Sequence, residues 1–255
     1  MNLNVRDLKF SYGVHEVLSG VSFSLREGEL MTVLGPNGTG KTTLFKCILG
    51  FLPKYSGSIR IGEEEASALS PQQLARRIAY IPQNHKQTFG YSVLDMVLMG
   101  TAHALPLFAL PGEAQKQDAY TALERLGISH LAEKNIARIS GGEQQLVFIA
   151  RALAQKAKLL IMDEPTASLD YGNQDRVMRL VRGLTEDGYN ILISTHNPQH
   201  ALWYGDTVLA MKDGKVLSYG APDKVLTAPL LHALYGIEAK LLETESGCVI
   251  VPEKR

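Results

Sequence analysis

The segment Gly35-Pro36-Asn37-Gly38-Thr39-Gly40-Lys41-Thr42 has the residue types and spacing of a phosphate-binding loop. It follows the apolar run Leu30-Met31-Thr32-Val33-Leu34 and opens a helix-forming stretch from Lys41 to Leu49. That is the strand-to-helix context in which such a loop works. Its glycines let backbone amides turn inward on phosphate oxygens, and the helix dipole adds positive potential. Lys41 is placed to reach the outer phosphates, and Thr42 to ligate magnesium. A second apolar run, Leu159-Leu160-Ile161-Met162, ends in the adjacent carboxylates Asp163 and Glu164. Such a pair either exits to solvent or serves a cation or a reaction. With a phosphate loop in the same chain, Asp163 is assigned to hold magnesium through its water shell. Glu164 is assigned to polarise the water that attacks the γ-phosphate.

Ser140-Gly141-Gly142-Glu143 admits two readings. Ser followed three residues later by Glu is a capping box at a helix start. Yet Gly141 and Gly142 are poor helix formers, and a helix amino terminus with bare glycine amides is also an anion site. A second phosphate cradle is intelligible if it serves a nucleotide held by another copy of the chain, which requires a dimer. Gln83 and His196 each follow a core strand and so stand at the ligand edge of an α/β sheet. There Gln83 could touch magnesium or water, and His196 the γ-phosphate; a structural histidine is the alternative. Tyr12 beside a turn is either an adenine-stacking platform or part of the core.

These residues need elements to position them. Alternation through Val5, Leu8 and Phe10, then Val21, Phe23 and Leu25, with turn signals at Tyr12-Gly13 and Glu27-Gly28, predicts a small antiparallel sheet within residues 3–34. Leu30–Leu34, Ile78–Ile81, Leu159–Met162 and Asn190–Ser194 read as core strands. Thr207–Met211 and Lys215–Ser218 read as a pair turning at Asp213-Gly214. Helical periodicity over Ser92–Met99, Glu113–Leu126 and Glu143–Gln155 predicts a helical unit inserted between two core strands, with a further helix over Asn173–Thr185. The expected fold is α/β: a phosphate-loop core on a mainly parallel sheet, an N-terminal antiparallel β-subdomain and an inserted helical subdomain. The expected divisions are 1–84 with 157–222 for the core and β-subdomain, 85–156 for the helical subdomain and 223–255 for a C-terminal extension.

Composition bounds what the chain can do. Its 255 residues are 45% hydrophobic and 20% charged, ordinary globular usage. Lys plus Arg balance Asp plus Glu at 26 each, so no basic field exists to hold DNA by counterion release, and no nucleic-acid partner is expected. Cys47 and Cys248 belong to no metal-binding cluster and signal no disulfide framework. The amino terminus lacks a signal-peptide apolar region, and no apolar run reaches the ~20 residues of a membrane span. A cytosolic chain that meets a membrane only through a partner is expected.

Taken in order, these motifs resemble an ATP-binding-cassette ATPase over nearly the whole chain. The resemblance assigns Gly35 to Thr43, including Thr43, as Walker A, Gln83 as the Q-loop, Ile139 to Gln144 as the signature and Leu159 to Glu164 as Walker B. Ser168-Leu169-Asp170 matches the D-loop and Thr195-His196 the switch histidine. It implies ATP and Mg2+ as ligands, with Asp170 beside the nucleotide, and two subunits stacked head to tail with ATP between Walker A of one and the signature of the other. The signature begins with Ile139 and has Glu143 fifth, where the family usually has Leu and Gln. Tyr91 to Gly100, the His103 to Phe108 spacing and the tail around Leu234 to Ile237 and Val249 to Pro252 are similar to importers of iron-siderophores, haem, cobalamin and molybdate. Thr101 stands where that group often has Arg. The implied partners are two transmembrane permease subunits and, indirectly, an extracytoplasmic substrate-binding protein, with the chain at the cytoplasmic face of the membrane. A soluble cassette ATPase acting on a macromolecule is the alternative; its usual coiled coils, zinc cysteines or second cassette are not in the sequence.

Overall fold

The computed structural model describes residues 1–83, 90–106, 109–245 and 247–253. Strands β1 (Leu3–Tyr12) and β2 (His15–Leu25) form a hairpin, and β3 (Leu30–Leu34) feeds α1 (Lys41–Ile48). Next come β4 (Ser56–Ile61), β5 (Glu64–Glu65), α2 (Pro71–Ala75) and β6 (Ile78–Ile81), then α3 (Val93–Leu98), α4 (Glu113–Arg125) and α5 (Gly141–Ala154). The chain returns through β7 (Leu159–Asp163), α6 (Tyr171–Glu186), β8 (Asn190–Thr195), α7 (Pro198–Tyr204), β9 (Thr207–Lys212) and β10 (Lys215–Gly220). It closes with α8 (Pro222–Val225), α9 (Ala228–Tyr235) and a hairpin of β11 (Ala239–Thr244) and β12 (Gly247–Pro252).

The central sheet runs β10-β9-β3-β8-β7-β6, parallel throughout except for β10. The first sheet, β2-β1-β4-β5, is antiparallel. Successive residues of the central strands face opposite sides. Leu159 and Ile161 join β1, β2 and α1 in one apolar cluster, while Leu160 and Met162 join α3, α4, α5 and α6 in another. A strand buried on both faces therefore tends to be nearly continuously apolar, as β3 is apart from Thr32 and β7 is up to Asp163. Each such side chain contributes on the order of 1.5–3 kcal/mol by burial.

The N-terminal pattern has a three-residue step from Val5 to Leu8 where strict alternation would have two. A bulge explains it: the register shifts between these residues, and Asp7 takes φ 44°. The extra residue returns Leu8 to the buried face. Gly57 lies opposite, where a Cβ would stand 2.4 Å from the Asp7 carbonyl oxygen, so β4 can approach only as glycine. Strand β4 has no autonomous signal, because its pairing partner β1 is some fifty residues earlier in the chain. The helical segments lie close to expectation, with Ser92 capping α3 and Ser140 capping α5. Phe108, cited for its spacing from His103, lies outside the described residues.

Candidate functional site

Parallel pairing in register brings the carboxyl ends of β3, β6, β7 and β8 to one edge of the sheet, with Leu34 opposite Thr195 and Asp163 opposite Ser194. The glycine loop, Gln83, the two carboxylates and His196 all emerge there, where α/β sheets hold ligands.

Gly40 precedes α1 at φ 96°, and Gly38 at φ 83° completes the turn. Gly35 is required for a different reason: a Cβ there would lie 2.3 Å from the Met211 carbonyl oxygen of β9. Lys41, only 5% exposed, donates to the carbonyls of Gly35 at 2.7 Å and Pro36 at 2.9 Å. Its Nζ stands 3.7 Å from Glu164 Oε1. Burial pushes the Lys41 ammonium below the ordinary lysine value, and the charges of Glu164 and Asp163 push back. Thr39 donates to Pro36 O at 3.0 Å and stiffens the turn.

Asp163 accepts the Thr42 hydroxyl at 2.7 Å on one oxygen and the Ser194 hydroxyl on the other. Ser194 also accepts the Glu164 backbone N–H at 2.9 Å, so one buried hydroxyl fixes both acids. Glu164 Oε2 receives Gln83 Nε2 at 3.0 Å and lies 3.2 Å from His196 Nδ1. Half-buried Tyr80 lies near enough to Asp163 that burial and that charge together push its phenol up to about 12.

A cavity of about 280 Å³ is lined by Val17, Asn37, Gly38, Thr39, Gly40, Lys41, Thr42, Thr43, Gln83 and Glu164. Thr42 and Asp163 are hard oxygen donors suited to magnesium, which takes one or two carboxylates plus substrate phosphates. Among the described residues no group of three His, Cys, Asp or Glu side chains could hold a metal; phosphate oxygens and water would complete the shell.

The remaining site residues fall elsewhere. Ser140 caps α5 and exchanges hydrogen bonds with Glu143, both backbone N–H groups being accepted reciprocally. Gly141 is open on its outer side, whereas a Cβ on Gly142 would strike the Asn173 side chain at 2.6 Å. Asn173 is held in turn by Asp170, the cap of α6. None of Ser140, Gly141, Gly142 and Asp170 lines the phosphate-loop cavity. Neither does Tyr12, whose half-exposed ring stands edge-on to Phe10 with centroids 4.9 Å apart. Val17 and Ser194 were not singled out from sequence. Ser194 carried one usable signal, a polar residue inside an apolar core strand, which demands a buried partner.

A family model described as ABC transporter matches residues 18–167. A Helicobacter pylori protein named "probable iron chelatin transport ATP-binding protein" is 37% identical over 252 residues, 98% of this chain and 99% of that one. A Bordetella pertussis protein named hemin import ATP-binding protein is 37% identical over 251 residues, 95% of each. A solved structure described as a metal-chelate type ABC transporter in an inward-facing conformation superposes with a TM-score of 0.88 at 31% identity, covering 99% of this chain and 97% of that one.

Proposed function

The chain belongs to the ABC transporter family, and from that premise we propose that it is the ATP-binding, ATP-hydrolysing subunit of an importer for a metal chelate of the iron-siderophore, haem, cobalamin or molybdate class. The observation that carries the catalytic reading is Glu164. Its carboxylate borders the phosphate-loop cavity within reach of Lys41, Gln83 and His196.

In this reading the amides of Gly35 to Thr43 and the Lys41 ammonium bind and orient the ATP phosphates. Thr42 and Asp163, with Gln83 alongside, would hold magnesium, which would neutralise phosphate charge. Glu164 accepts the proton of the water that attacks the γ-phosphorus as the bond to the ADP oxygen breaks. Gln83 and His196 hold Glu164 Oε2 in place, and His196 is free to turn toward the γ-phosphate because its side chain is 55% exposed. Tyr12 is assigned to the adenine.

Ser140, Gly141, Gly142 and Asp170 serve the nucleotide of a second copy, stacked head to tail; their position away from this chain's own cavity supports that assignment. Among the described residues no helix is long and apolar enough to cross a membrane. Attachment to the cytoplasmic face therefore falls to two permease subunits, supplied from outside by a substrate-binding protein. An apolar cleft of about 640 Å³ with the exposed side chains of Phe51 and Met99 at its edge offers them a seat.

The test is to tag the chain in its native cell, extract membranes in mild detergent and identify what co-purifies. A polytopic membrane protein is the expected companion. Recovery only from the soluble fraction, with ribosomes or nucleoprotein, would overturn the importer reading.

A further inference from the structure

We propose that Gln199 is a positioning residue for His196, and that the β11–β12 hairpin is the strap against which it works. The inference rests on the reading of His196 given above. His196 lies two residues before α7, a helix of only seven residues, far shorter than helices that hold themselves in water. Its direction is therefore set by what grips it from outside.

Its polar grips are few and specific. At its start, Asn197 donates its backbone N–H to Thr195 Oγ1 at 3.0 Å and accepts the Gln199 N–H at 2.9 Å. This places the Gln199 side chain at a fixed angle to the His196 backbone. The Gln199 amide then pairs with β12 at two points: Nε2 donates to the Cys248 carbonyl at 3.2 Å, and Oε1 accepts the Ile250 N–H at 2.8 Å. It thereby mimics a neighbouring strand on the outer edge of the hairpin, whose other edge pairs β11 through Leu241 opposite Ile250 and Glu243 opposite Cys248. Trp203, one turn along α7, donates Nε1 to the same Cys248 carbonyl at 2.9 Å. On the far side Tyr204 donates to Asp175 of α6. Ala201 meanwhile packs in the apolar cluster with Leu34 and Val208, so the helix is held by the sheet, α6 and the hairpin, with Gln199 the polar grip nearest the catalytic end.

The rest of the C-terminal segment anchors the strap to the same region. Lys212 of β9 donates to the Ala233 carbonyl at 2.6 Å and ties α9 to the central sheet. Tyr235, at the end of α9, is close enough to the reaction centre that Glu164's charge adds to burial in pushing its phenol up.

The test is ATP turnover by the full-length chain, in single-turnover format for the slow variants, with thermal unfolding measured alongside. Gln199→Ala should lower kcat about 3- to 10-fold with KM for ATP within about 2-fold, because a small displacement of a catalytic group costs rate rather than ground-state binding. Gln199→Glu keeps the acceptor for Ile250 N–H and should recover part of the loss. Trp203→Phe removes one donor while keeping the ring, and should lower kcat about 2-fold on the same reasoning. In a His196→Ala background Gln199→Ala should cost nothing further, since residues acting through one another are not additive. Unchanged kcat in both Gln199→Ala and Trp203→Phe, or a full additive loss in the His196→Ala background, would overturn the strap while leaving the ATPase reading intact. Wild-type turnover by His196→Ala alone would remove the role of His196 and this inference with it. Should Gln199→Ala not fold, Trp203→Phe and Gln199→Glu decide the matter.

Discussion

Glu164 takes φ 47°, a left-handed conformation that costs a non-glycine residue roughly 1–2 kcal/mol. The Ser194 hydroxyl on its backbone N–H holds it there. Glu164 follows the end of β7, where Asp163 remains tied to Thr42 and Ser194. Strain of this kind gathers at functional positions because the surroundings over-determine them. Gln in place of Glu164 preserves the shape but removes the proton acceptor, and its single carbonyl oxygen can accept from Lys41 or from Gln83 but not from both. Glu164→Gln should therefore lower the steady-state hydrolysis rate by about 10² to 10⁴, as for loss of a general base, while equilibrium nucleotide binding persists. Hydrolysis near the wild-type rate would remove Glu164 from the role. Sequence alone made Glu164 visible, since an apolar run ending in two acids is unusual; the hydroxyl that fixes both acids stood on another strand and was not found.

Helix α7 shows how one element depends on its buried face. His200 is 6% exposed and its Nδ1 has no hydrogen-bond partner among the described residues. Burial first, then the neighbouring His196, push its imidazole below the ordinary histidine value, with Asp175 opposing. The unfolded chain therefore binds the proton more readily than the folded one between the depressed folded value and 6.5. Stability rises with pH through that window and falls as the solution is acidified. His200→Leu should flatten the dependence of the unfolding midpoint on pH below about 6.5, the unperturbed histidine value. An unchanged pH profile in that variant would show that His200 is not the group responsible. No sequence period marks the helix: seven residues hold too few apolar positions to establish one, and the contacts that define it come from the sheet, β12 and α6.

Across the whole molecule the residues proposed to contact phosphate fall into two groups, one around Lys41 and one around Ser140. In the proposed head-to-tail pair, each composite site would take one group from each chain. Lys41→Ala and Ser140→Arg should each lose hydrolysis, yet a mixture should regain part of it, because one of the two sites in a mixed dimer is then intact. The measurement is turnover against mixing ratio, with recovery peaking near equal amounts. A mixture as inactive as its components would exclude shared sites.

What the sequence by itself determined is the chemistry that contiguous residues can express. The turn at Gly38 and Gly40 and the start of α1 are local, β7 runs directly into Asp163 and Glu164, and the largely apolar make-up of β3 and β7 follows from burial on both faces. Tertiary structure alone decided the rest. Ser194 beneath Asp163, Val17 in the cavity wall, Gly35 against Met211 and Gln199 against β12 each join residues dozens of positions or more apart. Those pairings depend on register across the sheet and on docking of the C-terminal segment, and no local propensity or period encodes which distant residue will stand opposite.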